Sequence, residues 1–339
     1  MYIRYLILFI PFFMAFFFKE EFKPYKISGY AQGTDYTITY YARDSIVTQK
    51  GIDSLLDVID QSMSLYKKES LISRFNASNK GIQVDELMAN VLKRSFEINQ
   101  DTKGIFDITV APLVQIWGFG PKQQQQEPDS AAIKQILKNV GMQYIHMDKN
   151  HLRKAKAEIK IDLNGIAQGY SVDLIAQYLE QKGIKTYLAE LGGEIRVTGR
   201  KPDGSLMKIG IEGPDENGVP GIRHIASLDQ GAITTSGNYR KFHQNGNKKI
   251  THLINPKTGY PLDNEMISVT VYAQNAITAD GYDNTLMAMS LEEALAFVSK
   301  RKYLEAYFVY HRKDGTVADT LTTGFKKLLT DPIKPTTTP

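Results

Sequence analysis

Thr186-Tyr-Leu-Ala-Glu190-Leu-Gly192-Gly193-Glu194-Ile-Arg-Val-Thr198 is the stretch that decides the fold class. Two short runs, near Thr186–Glu190 and Glu194–Thr198, carry strand-forming residues on either side of paired glycines that suit a tight turn. Strands joined this closely pair antiparallel, because a parallel pair needs a long crossover. The same pattern recurs outward. Tyr25–Tyr41 contains the alternating Tyr36-Thr-Ile-Thr-Tyr-Tyr, and further strands are predicted near Tyr144–Met147, Ile159–Leu163, Lys208–Glu212, Arg223–Leu228, Ile250–Ile254, Ser268–Ala273 and Glu305–Tyr310. Helical spacing of Ile52, Leu55, Leu56, Ile59 and Met63 predicts a helix with Asp44 as its cap. Others are expected from Glu86 to about Gln100, from Asp129 to Val140, from Gln168 to Gln181, and as a pair around Thr278–Lys300. Clustered strands with adjacent pairs give the α+β class, with mixed, mostly antiparallel sheets flanked by helices.

The chain has 339 residues, 42% hydrophobic and 23% charged, enough for a substantial core. A net charge of +4 without a basic block and interleaved aromatics argues against a nucleic-acid partner. No cysteine is present, which removes disulfides, thiolate catalysis and zinc ribbons. Met1 to Phe18 is an apolar run interrupted by Arg4 and Pro11 and followed by Lys19-Glu20-Glu21, with no small-x-small cleavage site. Residues 1–23 are therefore expected to be a signal peptide or membrane anchor, 24–330 the catalytic domain, and 331–339 a flexible Pro- and Thr-rich tail. The expectation is an exported protein on the extracytoplasmic side of the cytoplasmic membrane, periplasmic, its N-terminal segment serving either as a signal peptide or as an anchor. No P-loop, G-x-G-x-x-G after a strand, H-E-x-x-H or G-x-S-x-G occurs.

Ala279-Asp280-Gly281-Tyr282-Asp283-Asn284 sets two carboxylates and an amide at i, i+3 and i+4. On a helix they share one face, and oxygen donors so clustered suit a hard cation such as Mg²⁺. Taken alone, the segment reads more simply as a solvated helix start, where acidic residues are common. Asp107, between apolar neighbours in Gly104–Pro121, is either a cap or a ligand-directed acceptor. In Ile161-Asp162-Leu-Asn-Gly165-Ile-Ala-Gln168-Gly169-Tyr170 a strand hands over to a helix whose free N–H groups could face an anion, and Gly165 allows close backbone approach. Thr234-Thr-Ser236-Gly237-Asn-Tyr239-Arg240 groups hydroxyls with a cation, and Thr251-His252-Leu-Ile254-Asn-Pro256 carries the one His within a motif-like stretch.

In this order, these segments together with Met63-Ser-Leu-Tyr66-Lys-Lys-Glu-Ser70-Leu-Ile-Ser-Arg-Phe-Asn76, Leu191-Gly-Gly193 and His252–Gly259 resemble the FAD:protein FMN transferases, the ApbE-like family. The resemblance runs from about Gly29 to Lys300 and rests on seven separated motifs. It implies the ApbE-like fold and Mg²⁺-dependent transfer of FMN from FAD onto a Thr or Ser hydroxyl of an acceptor redox protein, with release of AMP. It also implies a metal face made by Asp280, Asp283, Asn284 and the Gly165 carbonyl. Tyr66 would pack on the isoalloxazine ring, and Gln32, Ile105, Phe106, Asp107, Asp162, Gln168 and Ile254 would line the FAD site. His252 is the candidate proton acceptor, with Asp283 as its rival. Three positions depart from the family pattern: Asn284 stands where Thr is common, Gln168 where Lys or Glu is usual, and Gln32 where Met is frequent. The Asn284 departure predicts weakened Mg²⁺ binding. Two other outcomes use the same residues: hydrolysis of FAD to FMN and AMP, and FAD binding without turnover.

Overall fold

The computed structural model describes residues 21–122, 127–214, 219–239, 242–245 and 248–330. The apolar N-terminal segment, the middle of the glutamine-rich loop, Arg240 and the tail from Asp331 lie outside the described residues. An eight-stranded sheet organises the chain. Its strands are β1 (Lys23–Ala31), β2 (Thr34–Ala42), β3 (Tyr187–Leu191), β4 (Glu194–Thr198), β5 (Gln230–Gly237), β6 (Met266–Ala273), β7 (Glu305–His311) and β8 (Val317–Leu321), adjacent in that order. Every strand pairing among the described residues is antiparallel, so the mixed character expected of the sheets is not found. The β3–β4 hairpin closes on Leu191 opposite Glu194, and Gly192 and Gly193 take φ of +65° and +105° in the two-residue turn. Only glycine enters both positions without strain, so the turn and its register follow from the sequence.

Four helices cover one face of this sheet: α1 (Gln49–Met63), α2 (Glu86–Asp101), α3 (Ala167–Gln181) and α4 (Ala276–Met287). Ile52, Leu56, Ile59 and Met63 of α1 are buried as their spacing predicts, but its cap is Thr48, whose Oγ1 accepts from Gly51 N at 3.2 Å. Asp44 lies four residues before Thr48 and does not cap the helix. Asp129 does cap its helix, Ser130–Leu137, accepting from Ala132 N at 2.7 Å. Small sheets and the helix Thr323–Leu328 supply a second apolar cluster on the other face, where Val197, Ile233, Ile267 and Tyr307 point. A third cluster forms around Leu113, Trp117, Ile133 and Ile250, with Trp117 Nε1 donating to Gly259 O at 2.8 Å.

The run Ile159–Leu163 is not a strand. Its alternating Ile159, Ile161 and Leu163 are buried, but a single side chain takes the place of a neighbouring strand. Asn76 Nδ2 donates to Ile161 O at 2.9 Å, and Asn76 Oδ1 accepts from Ile161 N at 2.8 Å. The side-chain amide reproduces the two-bond pairing of a ladder residue, which leaves the segment free to turn at Gly165 into α3.

Candidate active site

Helix α4 begins at Ala276, three residues before the acidic segment starts, with Asn275 as its cap. Asp280 and Asp283 therefore sit inside the helix and are 2% and 1% exposed. The solvated-helix-start reading is thereby excluded. The burial has a local cause on both sides of the helix. Alternate residues of β5, Ala232, Thr234 and Ser236, share one face and are small, so α4 lies close against the strand. Opposite, Gly169 of α3 offers no side chain where a Cβ would meet Asp280 Cβ at 2.7 Å and the Ala276 carbonyl closer still. Gly169 N donates to Asp280 Oδ2 at 2.8 Å. Asp173, one turn further along α3, accepts from Ala276 N and Ile277 N, both at 2.9 Å, and pairs with Arg196 at 3.0 Å. On the far side of α4, Tyr282 Oη donates to Asp101 Oδ2 at 2.7 Å, and Arg301 grips the same carboxylate at 2.6 and 2.7 Å.

Two carboxylates buried side by side resist ionisation. Burial, eased only partly by the Gly169 N–H, pushes Asp280 up to about 7. Burial and then the neighbouring Asp280 charge push Asp283 well above the usual carboxylate range, and Glu194 adds to the effect. The Thr234 hydroxyl lies near enough to ease Asp283 without forming a hydrogen bond with it, and Asp283 Oδ1 is a buried oxygen with no hydrogen-bond partner. Such an atom is costly unless something positive meets it.

A cavity of about 440 Å³ opens over this pair. Its lining includes Tyr66, Ile105, Phe106, Asp107, Asp162, Gly165, Gln168, His252, Ile254, Asp280, Asp283 and Asn284. Every residue expected at the site is there except Gln32. Gln32 sits at the β1–β2 turn with φ +54°, its Oε1 accepts from Ser171 Oγ at 3.1 Å, and the cavity lining does not include it. Asp107 reaches the cavity but is spent as a cap: Oδ1 accepts from Thr109 N at 2.8 Å and Thr109 Oγ1 at 2.5 Å, and Oδ2 from Met142 N at 3.1 Å. Asp162 accepts from Asn164 N at 2.8 Å in the turn before α3, whose own N-terminus has no side-chain cap. Gln168 Nε2 reaches Leu191 O at 3.3 Å beside the Gly192 turn. The His252 ring meets Phe119 edge-on, with centroids 6.2 Å apart. Tyr66 is 71% exposed at the mouth, and with Asp162 it also borders a wider groove.

Glu194 and Asp173 enter the site without having been singled out in the sequence. Glu194 follows the double glycine directly, which places it at the cavity end of β4. Asp173 carries no local signal: an Asp in mid-helix reads as solvated, and only the packing of α4 on α3 makes it a clamp.

The oxygen set suits a hard cation. Asp280 and Asp283 supply carboxylates, one with an unpartnered oxygen, and Gly165 supplies a carbonyl near Asn284. Among the described residues no three His, Asp or Glu side chains stand together at metal-binding spacing. Two carboxylates with neutral oxygens is the donor balance of Mg²⁺, which keeps water or substrate phosphates in its shell.

The family model described as the ApbE family matches residues 32–308. The chain is 34% identical over 325 residues to an FAD:protein FMN transferase of Haemophilus influenzae, covering 91% of this chain and 93% of that protein. It is 35% identical over 296 residues to an FAD:protein FMN transferase of Vibrio cholerae, covering 85% and 88%. Among solved structures, the flavin transferase ApbE from Vibrio cholerae superposes with a TM-score of 0.83 at 34% identity, covering 91% of this chain and all of that one. The apo flavinyl transferase ApbE of Pseudomonas stutzeri superposes with a TM-score of 0.82 at 30% identity, covering 91% and 97%.

Proposed function

The chain belongs to the ApbE family and transfers FMN from FAD to protein, and on that premise we propose how its own residues divide the work. The acceptor is a Thr or Ser hydroxyl of a redox protein. Its oxygen attacks the phosphorus of the FMN half, the bridging P–O bond breaks, and AMP leaves with that bridging oxygen. Catalysis of this type is mainly alignment and charge neutralisation. The exposed Tyr66 ring at the cavity mouth offers a stacking face for the isoalloxazine. The α3 N-terminus, without a side-chain cap, presents its positive end to the pyrophosphate. His252 takes the proton of the attacking hydroxyl, a role its imidazole suits near neutral pH.

Asp280, Asp283 and the Gly165 carbonyl would hold Mg²⁺, with Asn284 beside them. When bound, the cation neutralises charge on the pyrophosphate oxygens. The observation that carries this reading is the buried Asp280–Asp283 pair with its unpartnered oxygen, an arrangement that costs stability unless a cation meets it. The apolar run Met1–Phe18 fits export and anchoring, which would set the site on the extracytoplasmic side. Among the described residues no helix is long and apolar enough to cross a membrane.

The test is to incubate the protein with FAD, Mg²⁺ and a candidate acceptor domain, then measure acceptor mass and AMP. A covalent FMN adduct with AMP, abolished by EDTA, is expected. AMP without adduct would instead make water the nucleophile, and adduct formation indifferent to EDTA would remove the metal.

A further inference from the structure

Asn284 is turned the wrong way for a metal ligand. Its Nδ2, not its oxygen, faces the acidic site, 3.1 Å from the Asp280 main-chain oxygen, 3.3 Å from Asp280 Oδ1 and 3.4 Å from Gly165 O. Its Oδ1 looks the other way and accepts from Ser236 Oγ at 3.0 Å. Without a cation this is the orientation that electrostatics permits, because the reversed amide would set an oxygen against three oxygens. The NH₂ group thus brings partial positive charge to the point where these acceptors converge.

Ser236 makes the arrangement reversible. A hydroxyl both donates and accepts, so it can serve Oδ1 in one orientation and Nδ2 in the other at no loss. The terminal torsion of an Asn side chain is broad and roughly two-fold, and a half-turn exchanges the two ends.

We infer that Asn284 is a two-position amide that answers to the cation. In the metal-free site Nδ2 faces Gly165 and Asp280; with a divalent cation held there, the amide turns so that Oδ1 faces the cation and Nδ2 donates to Ser236. The inference rests on the Mg²⁺ reading given above. It also gives the residue type a reason. Asp at this position has no donor for the empty site, and a Thr hydroxyl has one hydrogen for three acceptors, whereas Asn can support both states. Metal uptake must first break the amide's own contacts, so affinity is lower than a third carboxylate would give, and the empty site is better formed.

The experiment uses the ¹⁵N-labelled full chain, with the Asn284 side-chain amide signals identified by their loss in Asn284→Asp. Mg²⁺ is titrated in the presence of ADP, followed by NMR and by calorimetry from which the heat of Mg²⁺ binding ADP without protein is subtracted. The expected result is that Asn284 NH₂ contacts to the Gly165 α-protons fade and contacts to the Ser236 β-protons appear, saturating with the heat of binding. Asn284→Asp should tighten Mg²⁺ by about tenfold and lower the melting temperature of the metal-free protein. Saturating heat with the amide still on Gly165, and Mg²⁺ affinity in Asn284→Asp unchanged, would overturn the inference and leave the Mg²⁺ reading standing. Absence of any Mg²⁺ heat beyond that of ADP alone would remove both.

Discussion

Gly169 and Asp280 meet where α3 crosses α4: the Gly169 amide donates to the Asp280 carboxylate at 2.8 Å, and the missing Gly169 side chain is what lets the helices approach. One residue thus sets both the depth of the acidic pair and one of its few hydrogen bonds.

Gly169→Ala should therefore be costly although Ala is the better helix former. The added methyl has to push against the Ala276 backbone and Asp280 Cβ, so about 1–3 kcal/mol of stability should be lost. Denaturant unfolding measures it, and a midpoint equal to or above wild type would mean that the crossing can open freely.

Stability in EDTA should fall as pH rises. An acid whose folded pKa lies above its unfolded value binds more protons when folded, so folding weakens as pH climbs from about 4 through about 7, the window set by Asp280. Asp280→Asn should reduce this dependence, the buried Asp283 keeping the remainder, and raise the melting temperature at pH 8 by an amount worth roughly 2 kcal/mol. A wild-type melting temperature that is constant across pH 4–8 in EDTA would contradict the buried pair.

Tyr282 lies between the two acidic residues but points away from them, onto Asp101. Tyr282→Phe removes one bond from a carboxylate that keeps Arg301, so about 1 kcal/mol should be lost. The FAD dissociation constant should stay near wild type, and a large change in it would show that this anchor reaches the site.

Tyr66→Ala should separate binding from folding. The ring is exposed, so stability should move by less than about 0.5 kcal/mol, while the lost stacking face weakens FAD by about tenfold. Thermal melting and flavin fluorescence titration together decide this; unchanged FAD affinity would place the flavin elsewhere.

His252→Ala should lower the transfer rate by about 10²–10⁴ while FAD still binds. Asp283→Asn should lower rate and Mg²⁺ affinity together. If His252→Ala keeps the wild-type rate, proton acceptance passes to Asp283.

The hairpin at Gly192-Gly193 was legible because φ, turn length and strand propensity all act within a few residues. Tertiary packing hid the rest. Strand β5, at the centre of the sheet, reads Gln-Gly-Ala-Ile-Thr-Thr-Ser-Gly, too poor in large apolar residues to announce itself, since its small side chains exist to admit α4. Ile159–Leu163 alternates like a strand because it is buried like one, and only Asn76, 85 residues from Ile161, shows that no strand lies beside it. Most site residues were visible as polar interruptions of apolar runs. Asp173 and the direction of the Asn284 amide were not, because both depend on which helix lies opposite.

Strand β5 gives the sheet a division of labour. Ala232, Thr234 and Ser236 look toward α4, while Ile233 between them packs with Val197 and Tyr307 on the opposite side. Substitutions along the strand should therefore differ by place: Thr235, Ser236 and Gly237, which border the cavity, should disturb turnover, and Ala232 and Ile233, packed in the two apolar clusters, the durability of the fold. A mutational scan of this one strand would read as two successive records, architecture in its first half and chemistry at its end.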